Sequence, residues 1–257
     1  MSTVWITGGG SGIGKALALS FCSDGWDVVI SGRDQQRLQK VSRLSPQIRL
    51  VVCDIKNKDE VLSAQLKIGP IDLAILNAGN YRPGLTNTCS LNEHRQIFEV
   101  NYFGTLNCIQ AVLPKMKKHG GKIAVVGSLA GYVGLPNASA YGPSKAALIS
   151  LCESLRAELQ DSPVNIQLIS PGFVKSALTD KNDFSIYNID TTTNIVDFTR
   201  NKINKFLAFL NVLLESDMTY DEFEIDGKSI NMNYLDIDDI SELNAISKIT
   251  REALEKF

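Results

Sequence analysis

The chain is poor in the residues that build metal centres and disulfide frameworks. It has only two histidines, and its five cysteines are an odd number, widely spaced, without a Cys-x-x-Cys pair. Structural zinc sites need clustered thiolate or imidazole ligands, and disulfide-rich secreted domains carry paired cysteines. We therefore expect no metal site, reduced thiols and a cytoplasmic location.

Charge of one sign and long apolar runs are also missing. A net charge of -2 argues against a nucleic-acid partner, because proteins that bind nucleic acids usually carry a strong basic surplus. No apolar run approaches the roughly 20 residues that span a bilayer, so we expect no membrane partner. The first residues, MSTVWITGGG, enter a strand-like run without a charged and then apolar leader, so we expect no secretory signal.

Glycine and proline almost disappear after residue 185. Only Gly227 of the 19 glycines and none of the eight prolines lies in residues 186–257. This stretch has 7 basic against 14 acidic residues, a net of -7, whereas residues 1–185 have 19 against 14, a net of +5. We place a boundary there, between a dinucleotide-binding and catalytic domain over residues 1–185 and a divergent C-terminal segment over residues 186–257.

Hydropathy patterns predict three elements in the C-terminal segment. Apolar residues from Ile195 to Leu213 and from Ile240 to Leu254 keep helical spacing, which predicts two amphipathic helices. Between them, EFEIDGKSINMNY alternates about Asp-Gly and predicts a hairpin within residues 222–234.

Six short β-branched runs alternate with amphipathic stretches in the first 185 residues. Their mostly continuous apolar character is typical of strands buried on both faces of a parallel sheet. The pattern predicts an α/β fold, a Rossmann-type doubly wound parallel sheet flanked by helices, with its ligand crevice at the carboxyl ends of the strands. The six runs are STVWIT, DVVIS, IRLVVCD, IDLAILN, GKIAVVGS and VNIQLIS.

A glycine-rich loop follows the first run. Gly8, Gly12 and Gly14 lie between a strand and a helix, where a backbone without side chains can turn sharply and approach a diphosphate. An ordinary tight turn is the alternative.

The end of the second run bears on the kind of dinucleotide. Arg33 follows the strand, and a guanidinium there favours the 2'-phosphate of NADP over the free hydroxyl of NAD. Asp34 is the competing carboxylate, although a helix N-cap suits it equally well. Arg37 either reinforces a phosphate site or belongs to a solvated helix face. NAD thus remains the alternative cofactor.

Tyr141 and Lys145 lie four residues apart, at a predicted helix start. Side chains at this spacing share a helix face, so a phenol and an ammonium there can form either a proton-transfer pair or an accidental surface pair. Pro143 fits a first helical turn. Ser128 ends the fifth strand, where a strand-end cap is the alternative to a catalytic hydroxyl. Asn101 lies inside a helical run with apolar neighbours, so we expect it to be buried with a partner.

Together these motifs resemble the classical short-chain dehydrogenase/reductase family over about residues 2 to 184. The matching motifs are Thr7-Gly-Gly-Gly-Ser-Gly-Ile-Gly14, Asn77-Ala-Gly79, Asn101, Ser128 and Tyr141-Gly-Pro-Ser-Lys145. The resemblance implies a nicotinamide cofactor and hydride transfer between a small secondary alcohol and a ketone. A non-catalytic NADP(H)-binding sensor or interaction protein is the alternative.

The resemblance also implies roles for the catalytic positions. Tyr141 resembles the general acid/base, Lys145 its partner, Ser128 the hydroxyl that orients the substrate oxygen, and Asn101 the residue that holds a relay water. A free tyrosine titrates near pH ~10, and a nearby ammonium favours the phenolate. We therefore expect Lys145 to lower the pKa of Tyr141.

Further positions match the family's cofactor site. Asp54 resembles the carboxylate that contacts adenine, Ser176 the hydroxyl near the nicotinamide carboxamide, and Val174 a second carboxamide contact through its amide. The full set implied to bind cofactor is Gly8, Gly10, Ser11, Gly12, Ile13, Gly14, Arg33, Asp54, Ile55, Asn77, Ala78, Gly79, Tyr141, Lys145, Pro171, Gly172, Val174 and Ser176.

The C-terminal segment departs from the family, because its last glycine-rich strand is not recognisable. That region generally forms the substrate lid and a subunit interface, so the substrate and the assembly stay open. We expect a homo-oligomer, and the resemblance favours a dimer through the helices that carry Asn101 and Tyr141. An apolar substrate is suggested by Leu135, Phe173, Leu178 and Phe184, which are equally compatible with a core. Docking of a protein partner by the acidic segment is a minor alternative.

Overall fold

The structure, a computed structural model, describes residues 2–132, 134–135 and 137–172, and the backbone of residues 223–225 and 228–230. Val174, Ser176, the three apolar residues predicted beyond residue 172 and the two C-terminal helices lie outside the described residues. The boundary at residue 186 stays a prediction for the same reason. The chain divides into two units, residues 1–202 and 203–257, which are described separately.

Six strands of the first unit form one parallel sheet in the order β3-β2-β1-β4-β5-β6. Each predicted run forms a strand, and every neighbouring pair is parallel. This confirms the predicted Rossmann-type doubly wound fold. The strands are β1 (Thr3–Thr7), β2 (Asp27–Gly32), β3 (Ile48–Val52), β4 (Leu73–Leu76), β5 (Gly121–Val126) and β6 (Val164–Ile169).

Helices connect the strands and cover the sheet. They are α1 (Gly12–Ser23), α2 (Gln35–Ser42), α3 (Lys58–Ile68), α4 (Leu91–Phe98), α5 (Thr105–His119) and α6 (Tyr141–Glu158). A π-helical turn, Glu99–Gly104, joins α4 to α5, and a 3-10 turn, Leu129–Gly131, follows β5. None of the described helices is both long and apolar enough to cross a bilayer.

Local chemistry sets where several helices begin. Asn57 caps α3 by accepting from the amides of Asp59 and Glu60. At α4, the Ser90 side chain accepts from the Glu93 amide while the Glu93 carboxylate accepts from the Ser90 amide, which is the predicted capping box. Helix α6 begins at Tyr141, which places Pro143 in the first turn as predicted.

The core lies on both faces of the central strands. Trp5, Ile6, Ile30, Ile75 and Ile123 are fully buried. Burial of this kind stabilises the fold by about 25 cal/mol per Å² of apolar surface removed from water. A rigid sheet therefore supports the loops at its carboxyl edge.

The second unit contains a hairpin. Strand β7 (Phe223–Ile225) pairs antiparallel with β8 (Lys228–Ile230), with Phe223 opposite Ile230. Both strands lie within residues 222–234, where the sequence predicts a hairpin, and the Asp-Gly pair stands between them in the sequence.

Candidate active site

The predicted motifs meet at the carboxyl edge of the sheet. Strands β1 and β4 are neighbours although they are not consecutive in the chain, so the connections reverse direction between them. Ligands of open α/β sheets bind in the crevice outside such a switch point. The glycine loop follows β1, and the Asn77-Ala-Gly79 motif follows β4.

The glycine loop has no room for side chains. A Cβ at Gly14 would lie 2.4 Å from the Gly8 carbonyl oxygen, and one at Gly9 would lie 2.5 Å from Ile30 Cβ. Gly8 and Gly12 have φ angles of +69° and +52°, in the region that favours glycine. The loop is thus a tight turn lined by backbone alone, and we call it the glycine cradle.

The helix that follows this loop leaves its first amides available. Ser11 is the N-cap of α1, but its side chain makes no capping hydrogen bond. Gly12, Ile13 and Gly14 form the first turn, whose amides have no partner within the helix. A diphosphate is the group that such amides and the helix dipole bind well.

Asn77 fixes the glycine loop from the neighbouring strand. Its side-chain amide donates to the Thr7 carbonyl at 3.0 Å and to the Gly8 carbonyl at 3.3 Å. The Thr7 hydroxyl in turn accepts from the amides of Asn77 and Ala78, both at 3.0 Å. Thr7 opens the glycine motif, but the sequence assigned it no role of its own.

Arg33 and Asp34, the two charged residues considered for the ribose end of the dinucleotide, have different surroundings at the end of β2. Asp34 caps α2 by accepting from the Arg37 amide at 3.0 Å, and its carboxylate pairs with Arg37 Nε at 3.2 Å. In the structure Asp34 is thus the N-cap of α2. Arg33 is exposed, and within the described part of the chain its guanidinium has no hydrogen bond or ion pair. It is available to an anionic group at this edge.

The loop after β3 contains Asp54, which is predicted to contact adenine, and the adjacent Ile55. The side-chain amide of Asn107 donates to the Ile55 carbonyl at 2.9 Å and holds this loop from α5. Gly104 permits the approach, since a Cβ there would lie 2.6 Å from Ile55 Cδ1. Asp54 accepts from the Lys56 amide at 3.1 Å. Neither Asn107 nor Gly104 carried a recognisable signal, because only the packing of α5 gives them this role.

Asn101 lies in the π-helical turn and is fully buried. Its side-chain oxygen accepts from the Asn80 amide at 2.7 Å, and its nitrogen donates to the Asn80 carbonyl at 3.0 Å and to Ser144 Oγ at 2.9 Å. Ser144 Oγ donates to the Tyr141 carbonyl at 2.7 Å. The expectation of a buried, partnered Asn101 is confirmed, and the network reaches the first turn of α6.

Lys145 is buried beneath Tyr141. Its Nζ donates to the Val126 carbonyl at 2.8 Å and lies 5.6 Å from the centroid of the Tyr141 ring. Ser128 stands at the end of β5, where its hydroxyl accepts from the Ala130 amide at 3.2 Å and also hydrogen-bonds the Tyr141 phenol. Ser128 therefore caps the 3-10 turn and faces the phenol, and its role as a catalytic hydroxyl stays a prediction.

The pKa of Tyr141 differs from the expectation. Burial raises it above its ordinary value; the hydrogen bond with Ser128 acts in the opposite direction, and Tyr81 raises it further. Burial also lowers the pKa of the neighbouring Lys145 to about 8. At neutral pH the phenol is protonated, the form that can donate a proton to an oxyanion.

Two further residues predicted for the cofactor site, Pro171 and Gly172, follow β6 at this edge of the sheet. The Leu129 amide donates to the Pro171 carbonyl at 3.2 Å, so Pro171 and Gly172 follow β6 next to the turn that carries Ser128. Among the described residues, Ser170 Oγ is buried without a hydrogen-bond partner.

Comparison with known proteins gives one consistent result. Residues 2–184 match the family described as short chain dehydrogenase. An uncharacterised oxidoreductase of Staphylococcus aureus strain MW2 is 33% identical over 181 residues, which cover 68% of this chain and 78% of that protein. Dehydrogenase/reductase SDR family member 7B of Danio rerio is 34% identical over 192 residues, covering 68% of this chain and 62% of that protein.

Solved structures agree with the sequence relatives. A short chain dehydrogenase/reductase family protein is 33% identical with a TM-score of 0.67, over 69% of this chain and 77% of that one. The closed form of serine dehydrogenase complexed with NADP+ is 26% identical with a TM-score of 0.64, over 66% of this chain and 71% of that one.

Proposed function

Because the chain belongs to the short-chain dehydrogenase/reductase family, we propose that it is an NADP-dependent oxidoreductase that interconverts small secondary alcohols and ketones. The observation that carries the proposal is the meeting of Tyr141, Ser128 and Lys145 at the carboxyl edge of the sheet. A sensor that only binds a dinucleotide has no use for a phenol between a hydroxyl and a buried ammonium.

The residues of the crevice fit the cofactor. The glycine cradle and the free first-turn amides of α1 suit its diphosphate, and Asp54 at the loop after β3 suits its adenine. When bound, the nicotinamide supplies or accepts the hydride. In the reducing direction Ser128 holds the substrate oxygen by a hydrogen bond, and the Tyr141 phenol donates a proton to that oxygen.

Lys145 acts on the phenol through its charge. As Tyr141 gives up its proton, the phenolate forms next to the Lys145 ammonium, and opposite charges attract more strongly in a buried site than in water. Asn101 holds the first turn of α6 through Ser144, which keeps the phenol in place. Its proposed role in holding a relay water rests on the family resemblance.

Replacement of Tyr141 by Phe tests this function. We expect Tyr141→Phe to lower the rate of NADPH-dependent ketone reduction at least 10³-fold, since the variant has no proton to donate, while the Kd for NADPH changes less than threefold. Tyr102→Phe, a ring that packs edge-to-face on Phe103 at 5.2 Å, is the control and should keep activity. Turnover that survives Tyr141→Phe would show that another group transfers the proton.

The preference for NADP is supported by the exposed guanidinium of Arg33 at the end of β2. A titration followed by nicotinamide fluorescence should show tighter binding of NADPH than of NADH, with the preference reduced at least tenfold in Arg33→Ala. Arg43→Ala, at the far end of α2, is the matched control. Equal binding of both dinucleotides by the wild type would remove the NADP assignment.

Two broader features fit the same proposal. All five cysteines are free thiols, and burial raises the pKa of Cys53 and Cys152 to about 11, which suits a reducing cytoplasm. Phe103, in the turn that carries Asn101, is 47% exposed and offers an apolar contact for the proposed homodimer. Light scattering of the wild type and of Phe103→Glu would test that assembly.

A further inference from the structure

Tyr81 lies directly beside the proposed catalytic phenol. The ring centroids of Tyr81 and Tyr141 are 5.0 Å apart with an angle of 71° between the planes, an edge-to-face contact. Tyr81 is only 9% exposed. Aromatic pairs in this geometry contribute about 0.5 to 1.5 kcal/mol beyond their buried area, so each ring restricts the orientation of the other.

The backbone before Tyr81 passes along the other catalytic side chains. A Cβ at Gly79 would lie 3.4 Å from Asn101 Oδ1 and 3.7 Å from Lys145 Nζ. Residues 79–81 therefore border the site from Lys145 to Tyr141. The Tyr81 ring contacts the Tyr141 ring itself, so a carbonyl group held at the Tyr141 hydroxyl would lie near the ring of Tyr81.

Asn101 holds this segment at both backbone polar groups of one residue, Asn80. The paired hydrogen bonds of its side chain to the Asn80 amide and carbonyl restrict the backbone rotation of that residue. The Asn80 side chain then accepts from the Tyr81 amide at 2.9 Å. These bonds are partly buried, where breaking one is costly.

The chain beyond Tyr81 is also fixed. Arg82 pairs with Glu93 at 2.6 Å, and the same carboxylate belongs to the capping box of α4. Two residues on, the Gly84 amide donates to the Asn137 carbonyl at 3.0 Å, which ties the loop to the segment before α6. The backbone of Tyr81 is thus held on both sides, and its ring packs on that of Tyr141.

We propose that Tyr81 is a specificity-determining residue whose fixed ring bounds the carbonyl site and selects ketones with a small group, such as methyl, on that side. The proposal rests on the oxidoreductase function above. A rigid wall discriminates by size, because a larger group can enter only if packed backbone moves. The difference of one or two carbons in such a pocket changes kcat/KM by about 10- to 200-fold.

The test compares two ketones that differ only on one side of the carbonyl. Reduction with NADPH is measured for R–CO–CH3 and R–CO–CH(CH3)2 with the same R group, across several R groups. We expect the ratio of kcat/KM, methyl over isopropyl, to fall at least tenfold in Tyr81→Val and to change less than twofold in Tyr81→Phe, which keeps the ring. Phe21→Leu, which removes the edge-to-face pair with Trp26 at 5.4 Å, should keep the wild-type ratio.

The outcomes separate this proposal from the function it rests on. If the wild type reduces ketones and the ratio in Tyr81→Val is unchanged, or both ketones lose the same factor, Tyr81 only packs and the specificity role is wrong. If the wild type reduces no carbonyl compound with NADPH or NADH, the proposed function fails and the specificity role fails with it. Tyr81→Leu, closer in volume, replaces Tyr81→Val if the latter melts below the assay temperature.

Discussion

The glycine-loop half of the crevice and its catalytic half are formed by different kinds of atoms. Around Gly8 and Gly14 the shape comes from backbone and from missing side chains, with gaps as small as 2.4 Å to a hypothetical Cβ. In the catalytic half, Asn101, Ser144 and Lys145 are buried polar side chains. Substitutions in the glycine-loop half should therefore destabilise the protein through steric overlap. Substitutions in the catalytic half should act through unsatisfied or desolvated polar groups.

The largest effect should come from filling the glycine cradle. Gly14→Ala places a methyl group 2.4 Å from the Gly8 carbonyl and 2.7 Å from Asn77 Nδ2, so the loop and the Asn77 side chain must both shift. We expect a loss of about 4 kcal/mol in the free energy of unfolding and at least a 100-fold weaker Kd for NADPH.

Gly134→Ala is the matched control for the cradle. A Cβ at Gly134 meets no atom of the described residues within 4 Å, so stability and Kd should stay at wild-type values in urea titrations and fluorescence titrations. Equal behaviour of the two alanine variants would show that the crevice is not shaped by its missing side chains.

Removal of the Asn101 amide should come next. Asn101→Ala leaves the Asn80 amide, the Asn80 carbonyl and Ser144 Oγ without their partner, and we expect a loss of about 3 kcal/mol in urea unfolding. Turnover should fall more than cofactor affinity, because the network ends at the catalytic helix. Asn107→Ala, which removes the hydrogen bond to Ile55, should cost only about 1 kcal/mol.

The comparison between the halves also explains what the sequence could reveal. The strands, the glycine loop, the capping box and the start of α6 were predictable, since each depends on residues close together in the chain. The π-helical turn, the paired hydrogen bonds between Asn101 and Asn80, and the raised pKa of Tyr141 could not be predicted. They arise from packing between residues 21 to 43 positions apart in the chain, or from burial itself. Ser144 lies inside the Tyr141-to-Lys145 motif, yet only its hydrogen bond with Asn101 shows that it links this residue to the first turn of α6.

Lys145 should show the opposite sign from the other substitutions. Its folded-state pKa of about 8 lies below the ordinary 10.5, so the folded protein binds its proton less tightly than the unfolded chain does. At pH 7 this desolvation lowers stability by about 3 kcal/mol, and loss of the hydrogen bond to Val126 offsets about 1 kcal/mol. Lys145→Met should therefore stabilise the cofactor-free protein by about 2 kcal/mol at pH 7 while abolishing turnover.

The pH dependence sharpens this prediction. The wild-type penalty is complete below pH 8 and is relieved as the pH rises from about 8 towards 10.5, because the folded lysine is then neutral while the unfolded one is still charged. The advantage of Lys145→Met in thermal or urea unfolding should shrink over that window. A difference independent of pH would mean that Lys145 is not desolvated in the folded state.

The smallest effect should come from the N-cap of α2. Asp34→Ala removes the acceptor for the Arg37 amide and the exposed ion pair with its guanidinium, and we expect a loss of about 1 kcal/mol, almost all from the cap. Asp34→Ser keeps a capping oxygen without the charge and should restore most of that stability. If Asp34 only caps the helix, neither variant changes the NADPH-to-NADH preference more than threefold. A preference that shifts strongly in both variants would place this carboxylate at the ribose, and the cofactor edge would then depend on a charged side chain as the catalytic half does.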